Sequence, residues 1–165
     1  MPVQTVPEPG VPADDAALLG AMQSAELAAR DLYQAAIDAG NDDELYVGIR
    51  NNHRAYADRL SAQLGRSAPD ERAEALYSEW EERFTATGTG VASAAYELES
   101  ALEATWTENL GSLVAADSSR TAASIMMVEA RHCPALADLA GKGDDFAALF
   151  ENTAEPLQLD SEAAG

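Results

Sequence analysis

The sequence predicts an all-α fold: four long helices in two antiparallel hairpins, joined by a long crossover that holds a shorter helix. Three observations carry that expectation. Apolar residues recur three or four positions apart through each long segment, the helical signature. Hydrophobic residues make up 47% of the 165-residue chain but aromatics only 6%, so alanine and leucine supply most of the apolar surface. That mixture suits close-packed helices better than sheets. The joints within each half are short and the joint between halves is long, which argues against a simple up-down-up-down bundle.

A proline-punctuated lead, residues 1–13, precedes the bundle and reads as flexible. The first long helix follows, with Leu19, Met22, Ala29, Tyr33 and Ala36 on one stripe; Asp14 and Asp15 favour its start and Gly40 its stop. The second carries Leu45, Ile49, Tyr56, Leu60 and Leu64 and ends at Gly65. The tight joint at Gly40 and Asn41 makes the two antiparallel neighbours. The crossover spans 66–89 and contains "DERAEALYSEWEERF", where Leu76, Trp80 and Phe84 stand four apart. "TATGTG" closes it; with no lysine and no preceding strand, this glycine pair is a hinge and not a phosphate loop. A third long helix offers Ala92, Ala95, Leu102, Trp106, Leu110 and Leu113. After the polar stretch "ADSSR" comes a fourth, with Ala122, Ile125, Leu136 and Leu139, ended by Gly141 and Gly143. The bundle thus runs over 14–143, and 144–165 reads as one short amphipathic turn at Phe146, Leu149 and Phe150 followed by a polar tail.

The formal net charge of −19 argues against nucleic-acid or anionic-membrane binding, both of which need basic surface. No apolar run approaches the roughly 20 residues of a membrane span. The first residues, "MPVQTVPEPGVPADD", have prolines and acids where a signal peptide has basic and then apolar residues. The expectation is a soluble, cytoplasmic protein, with an exported parent trimmed of its signal left open. The lone Cys133 rules out an internal disulfide and fits a reducing compartment. An Ala-rich helical face leaves a homodimer open; no protein partner is identified.

Ionisable residues interrupt the apolar stripes. Glu26 sits between Met22 and Ala29, His53 between Ile49 and Tyr56, and Glu99 between Ala95 and Leu102. Glu129 and His132 take successive core positions between Ile125 and Leu136. Burying one such group is costly. Five near the middle of four antiparallel helices form one layer, the arrangement a carboxylate-bridged metal pair requires, with Glu-x-x-His placing both side chains on one helical face. Oxygen and imidazole donors suit iron or manganese, and zinc to a lesser degree.

Over about 14–143 the chain resembles the small bacterial ferritin-like domain proteins: "AELAARDLY" is similar to that superfamily's first helix, "LESALEATW" to its third and "VEARH" to its fourth. The resemblance implies a ferritin-like four-helix bundle and a metal site of Glu26, His53, Glu99, Glu129 and His132. The halves echo each other, with Tyr33 seven residues after Glu26 and Trp106 seven after Glu99; core packing is the expected role of both aromatics. The pattern breaks in the second helix, which reads "RNNH", so that Arg50 stands where the family has a bridging glutamate. Three glutamates and Arg50 sum to −2, enough for one divalent cation, or for none if both histidines are protonated. Arg50 inside the bundle would pair with a carboxylate and disfavour two ions; if it snorkels outward, the metal-bound reading recovers. Two functions stay open. One is metal binding for iron handling or redox chemistry, in which case any enzyme activity is that of a metal-dependent oxidoreductase. The other is a metal-free accessory or interaction protein with an Arg50-centred salt-bridge network. Pro134 removes a donor to the carbonyl of Ala130 and predicts a kink, while Cys133 points about 100° from His132 and reads as a buried filler.

Overall fold

The computed structural model describes residues 10–159. Most of the expected flexible lead (1–9) and the end of the polar tail (160–165) lie outside the described residues. The elements are α1 (Ala13–Asp38), α2 (Glu44–Leu64), α3 (Glu74–Phe84), α4 (Thr89–Leu110), α5 (Ala116–Leu139) and the short α6 (Phe146–Phe150), with a 3-10 turn at Gly65–Ser67. The fold is all-α: α1 packs along α2 and α4 along α5, and α3 docks on α1 and α4 from the crossover.

Local chemistry explains the ends of these helices. Asp43 caps α2 by accepting from the Leu45 N–H at 2.8 Å. Gly40, at φ 96°, allows the reversal between α1 and α2 that a side chain would strain. Asp14 lies in the first turn of α1 as expected, but Asp15 turns inward and serves another helix. It is 1% exposed and accepts from the Val114 and Ala115 N–H groups at 2.9 and 3.0 Å, so a carboxylate of α1 caps the start of α5. Burial alone would raise its pKa; those N–H bonds outweigh it and hold the carboxyl below the usual range.

Three sequence expectations shift. "ADSSR" is no connection: α5 begins at Ala116, within the reach of the Asp15 cap. The crossover helix begins at Glu74 and not at Asp70, because Asp70 adopts φ 52° and accepts bonds from Gln23 and Ser61. Phe146 and Phe150 do not bury a face of α6; both are about 70% exposed and lie against each other at 4.8 Å. The tail beyond them does not fray within the described residues. Asn152 donates to the Ser100 carbonyl, the Leu157 N–H donates to Thr105, and Leu157 and Leu159 pack on the core.

The apolar core is in two parts. One gathers Leu32, Tyr33, Ile49, Phe84, Leu98, Leu102 and Leu136. The other holds Leu19, Met22, Leu60, Leu64, Trp106, Ala122 and Ile125. Between them along every long helix lie Glu26, His53, Glu99, Glu129 and His132, so two dry layers enclose a polar one. No described helix is long and apolar enough to cross a membrane.

Candidate metal centre

All five sequence-identified residues meet in the bundle: Glu26, His53, Glu99 and Glu129 are fully buried and His132 is 6% exposed. His53 is the hub. Its Nδ1 lies 2.7 Å from Glu26 Oε2 and its Nε2 lies 2.8 Å from Glu99 Oε1. A ring that faces a carboxylate on each nitrogen donates from both and is an imidazolium. Burial opposes that charge, but the Glu99 charge and the hydrogen bonds to Glu26 and Glu99 prevail, raising the His53 pKa to about 10. Burial would likewise raise Glu99; instead the His53 charge, with donors from His132 and His53, holds it far below the usual carboxylate range. Glu99 accepts from a third donor, the Tyr33 hydroxyl at 2.9 Å, and the Tyr33 ring stacks on His53 at 5.6 Å.

Glu129 is the contrast. Neither of its oxygens has a donor among the described residues. Burial first, then the charges of Glu26 and Glu99, push its pKa well up. Without a cation, burial and those neighbouring charges keep it a neutral carboxylic acid. The Tyr56 hydroxyl, one turn beyond His53, is also buried and unpartnered among the described residues. Burial and then the Glu129 charge raise its pKa.

Arg50 is not in this layer: of the two placements the sequence left open, the outward one is found, and no salt bridge forms at Arg50 inside the bundle. Its guanidinium lies at the partly exposed outer face of α1 and α2, donating to Gln34 Oε1 at 2.7 Å and to Asn51 Oδ1 at 2.9 Å. The long stem carries the charge out to water, where it costs nothing to keep. The charge balance inside therefore rests on His53. Pro134 is accommodated within α5, which continues to Leu139. Cys133 packs beside Ser100 with its thiol pushed up to about 12, chiefly by burial, and stands outside the metal-competent groups.

Three contributors escaped the sequence reading. Trp106 donates its ring N–H to Glu26 at 3.2 Å and Tyr33 donates to Glu99, so these aromatics bond carboxylates as well as filling the core. Their matched seven-residue spacing from Glu99 and Glu26 was the available signal, though each bonds the glutamate of the other helix. Asn52 brings its amide nitrogen to His132 Nε2 at 2.9 Å, and no periodicity marks it.

Two triads bring one donor atom per residue within 4.8 Å of one another: His53, Glu99 and His132, and Glu26, His53 and Glu129. A four-helix bundle with carboxylates and imidazoles converging at its mid-layer defines a class of bundles able to hold a metal ion among its helices. The ferritin-like domain matches residues 11–142, and the chain belongs to that family. No curated protein and no solved structure matches it.

Proposed function

We propose that this protein binds a single divalent transition-metal ion, iron or manganese, among Glu26, His53, Glu99, Glu129 and His132, and serves iron handling or redox chemistry. The observation that carries the reading is Glu129: a fully buried carboxyl with no donor on either oxygen needs a proton or a cation, and Glu26 and His53 bring donor atoms within 4.8 Å of it. Oxygen and nitrogen donors of this kind suit iron and manganese.

Charge decides the number of ions. Without metal, Glu26 and Glu99 as carboxylates and His53 as imidazolium leave −1, with Glu129 neutral. Three carboxylates, neutral histidines and one divalent ion also leave −1, so uptake exchanges two protons for one dication at constant charge. Two ions would leave +1 in a layer that is buried save for an edge of His132, and the fourth carboxylate that would cancel it is replaced by the outward-facing Arg50. The limit on stoichiometry is thus a missing carboxylate, and not a guanidinium repelling the metal.

A bound iron or manganese ion supplies one-electron chemistry toward oxygen or peroxide. The chain's own part is to hold the site dry between two apolar layers, to keep Glu99 ionised through three donors, and to store on Glu129 and His53 the protons that an ion displaces.

A second reading has one observation in its favour: the bonds of His53 to Glu26 and Glu99 close without any ion, so the layer could serve a metal-free accessory protein as a structural network. Anaerobic incubation with ferrous iron, desalting and elemental analysis separate the two. One ion per chain and close to two protons released per ion, read by calorimetry in buffers of different ionisation enthalpy, are expected. No ion retained, with an unchanged melting temperature, would leave the metal-free reading; two ions would overturn the charge argument.

A further inference from the structure

His132 is the one member of the layer with an edge toward solvent, and its two nitrogens face different worlds. Nδ1 points inward, 2.7 Å from Glu99 Oε2. Nε2 points outward, 2.9 Å from the Asn52 Nδ2 on the partly buried face of α2. An amide nitrogen only donates, so Nε2 accepts and the imidazole proton sits on Nδ1, committed to Glu99. In that tautomer the inward nitrogen has no lone pair to give.

We propose that Asn52 is a positioning residue that lets His132 exchange tautomers, and so become a metal ligand through Nδ1, by rotating its amide. This rests on the metal-binding reading given above. The exchange is charge-neutral: the N–H bond at Nδ1 breaks, one forms at Nε2 through solvent at the exposed ring edge, and the freed Nδ1 pair faces Glu99 and the core. The new Nε2–H then needs an acceptor. Asparagine carries a donor and an acceptor on one planar group, so a half-turn about Cβ–Cγ replaces Nδ2 by Oδ1 at the same place. The same residue thereby satisfies both states of His132. An aspartate there would face the ring with a second carboxylate opposite Glu99 and hold it as an imidazolium, and a leucine would satisfy neither state. A ligating imidazole that donates its other N–H to an oxygen is oriented and made more basic, and loss of that partner typically costs about 10- to 100-fold in metal affinity.

Zinc, diamagnetic and able to use the same donors, is the probe. Long-range proton-nitrogen NMR of the full chain is expected to find His132 protonated on Nδ1 without zinc and on Nε2 with it. Asn52→Leu is expected to weaken zinc binding by about 10-fold or more, and Asn52→Asp to hold His132 protonated on both nitrogens before zinc is added, so that zinc uptake releases one proton more than in the wild type. The aspartate variant guards against a loss that merely reflects misfolding, because a purely structural role would not move the ring-protonation signal. An Nε2–H tautomer in the zinc-free wild type, or wild-type affinity in Asn52→Leu, would overturn the assignment of Asn52 alone. Failure of the wild type to take up zinc would overturn both this inference and the metal-binding reading.

Discussion

The helix pair α1 and α4 and the pair α2 and α5 contribute to one polar layer in different ways. On α1 and α4 the arrangement is reciprocal: Tyr33 of α1 bonds Glu99 of α4, and Trp106 of α4 bonds Glu26 of α1. On α2 and α5 it is lopsided: α5 brings Glu129 with no donor, whereas α2 has Arg50 at the matching place and turns it outward. The first pair is closed by hydrogen bonds and holds the fold. The second leaves polar groups under-satisfied, and there a ligand has something to gain. Stability and binding thus divide along helix pairs, with His53 of α2 reaching across to stitch both carboxylates of the other pair.

The harshest test of that division removes the stitch. His53→Leu leaves Glu26 and Glu99 buried without the cation between them. Breaking a buried ion pair from one side costs about 3–5 kcal/mol, which corresponds to a fall of roughly 10 °C or more in the melting temperature of a domain this size. Glu129→Gln, by contrast, replaces a neutral acid by a neutral amide and is expected to leave the metal-free melting temperature unchanged or slightly higher while abolishing metal uptake. Equal thermal losses in the two variants would erase the distinction between the bonded His53, which holds the carboxylates of α1 and α4, and the donorless Glu129.

A pH titration of the metal-free protein in chelator makes the next largest effect. The folded pKa of His53 is raised from 6.5 to about 10, so its contribution is fully present below 6.5 and is lost as pH rises through 10. Glu129 is raised above 4.5, and its contribution likewise fades with rising pH. Glu99 is lowered, so what it contributes is present above 4.5 and is lost as pH falls below that. The melting temperature is therefore expected to peak at mildly acidic pH, roughly 5–6.5, and to decline toward pH 10. Metal affinity should move the other way, rising with pH as two protons become easier to displace. A metal-free profile that is flat from pH 6.5 to 10 would show that His53 is not the charged hub.

The fold was legible in the sequence because helical periodicity is a local signal: Leu19, Met22, Tyr33 and Ala36 on α1, or Leu76, Trp80 and Phe84 on α3, are buried as their spacing required. The five site residues were legible for the same reason, as charges on an apolar stripe. What periodicity cannot convey is the direction of a long side chain. Arg50 stands on the same helix as His53, yet its stem carries the charge to Gln34 and Asn51. Nor can it show bonds made across helices. Asp15 has the look of a first-turn acid of its own helix but caps one that begins about 100 residues later, and Asn52 gains its meaning only from His132 on α5. The partly buried tail at Leu157 and Leu159 was missed because a non-helical strap has no helical period to read.

The smallest expected effects give the sharpest comparison, because the same chemical change is made in each half. Tyr33→Phe deletes one of three donors to Glu99, a hydrogen bond to a charged group, and is expected to cost about 1–2 kcal/mol. Tyr56→Phe deletes a buried hydroxyl with no partner among the described residues, so nothing is left unpaired and a desolvation penalty is relieved; a gain of up to about 1 kcal/mol is expected. Chemical denaturation of both variants without metal reads the signs directly. Opposite signs would confirm that the layer is saturated toward α1 and α4 and under-satisfied toward α2 and α5. A loss in Tyr56→Phe comparable to that in Tyr33→Phe would mean that Tyr56 has found an acceptor in solution. Glu129 is the group whose charge weighs most on it, so the apparent vacancy at that carboxyl would already be filled by the protein itself.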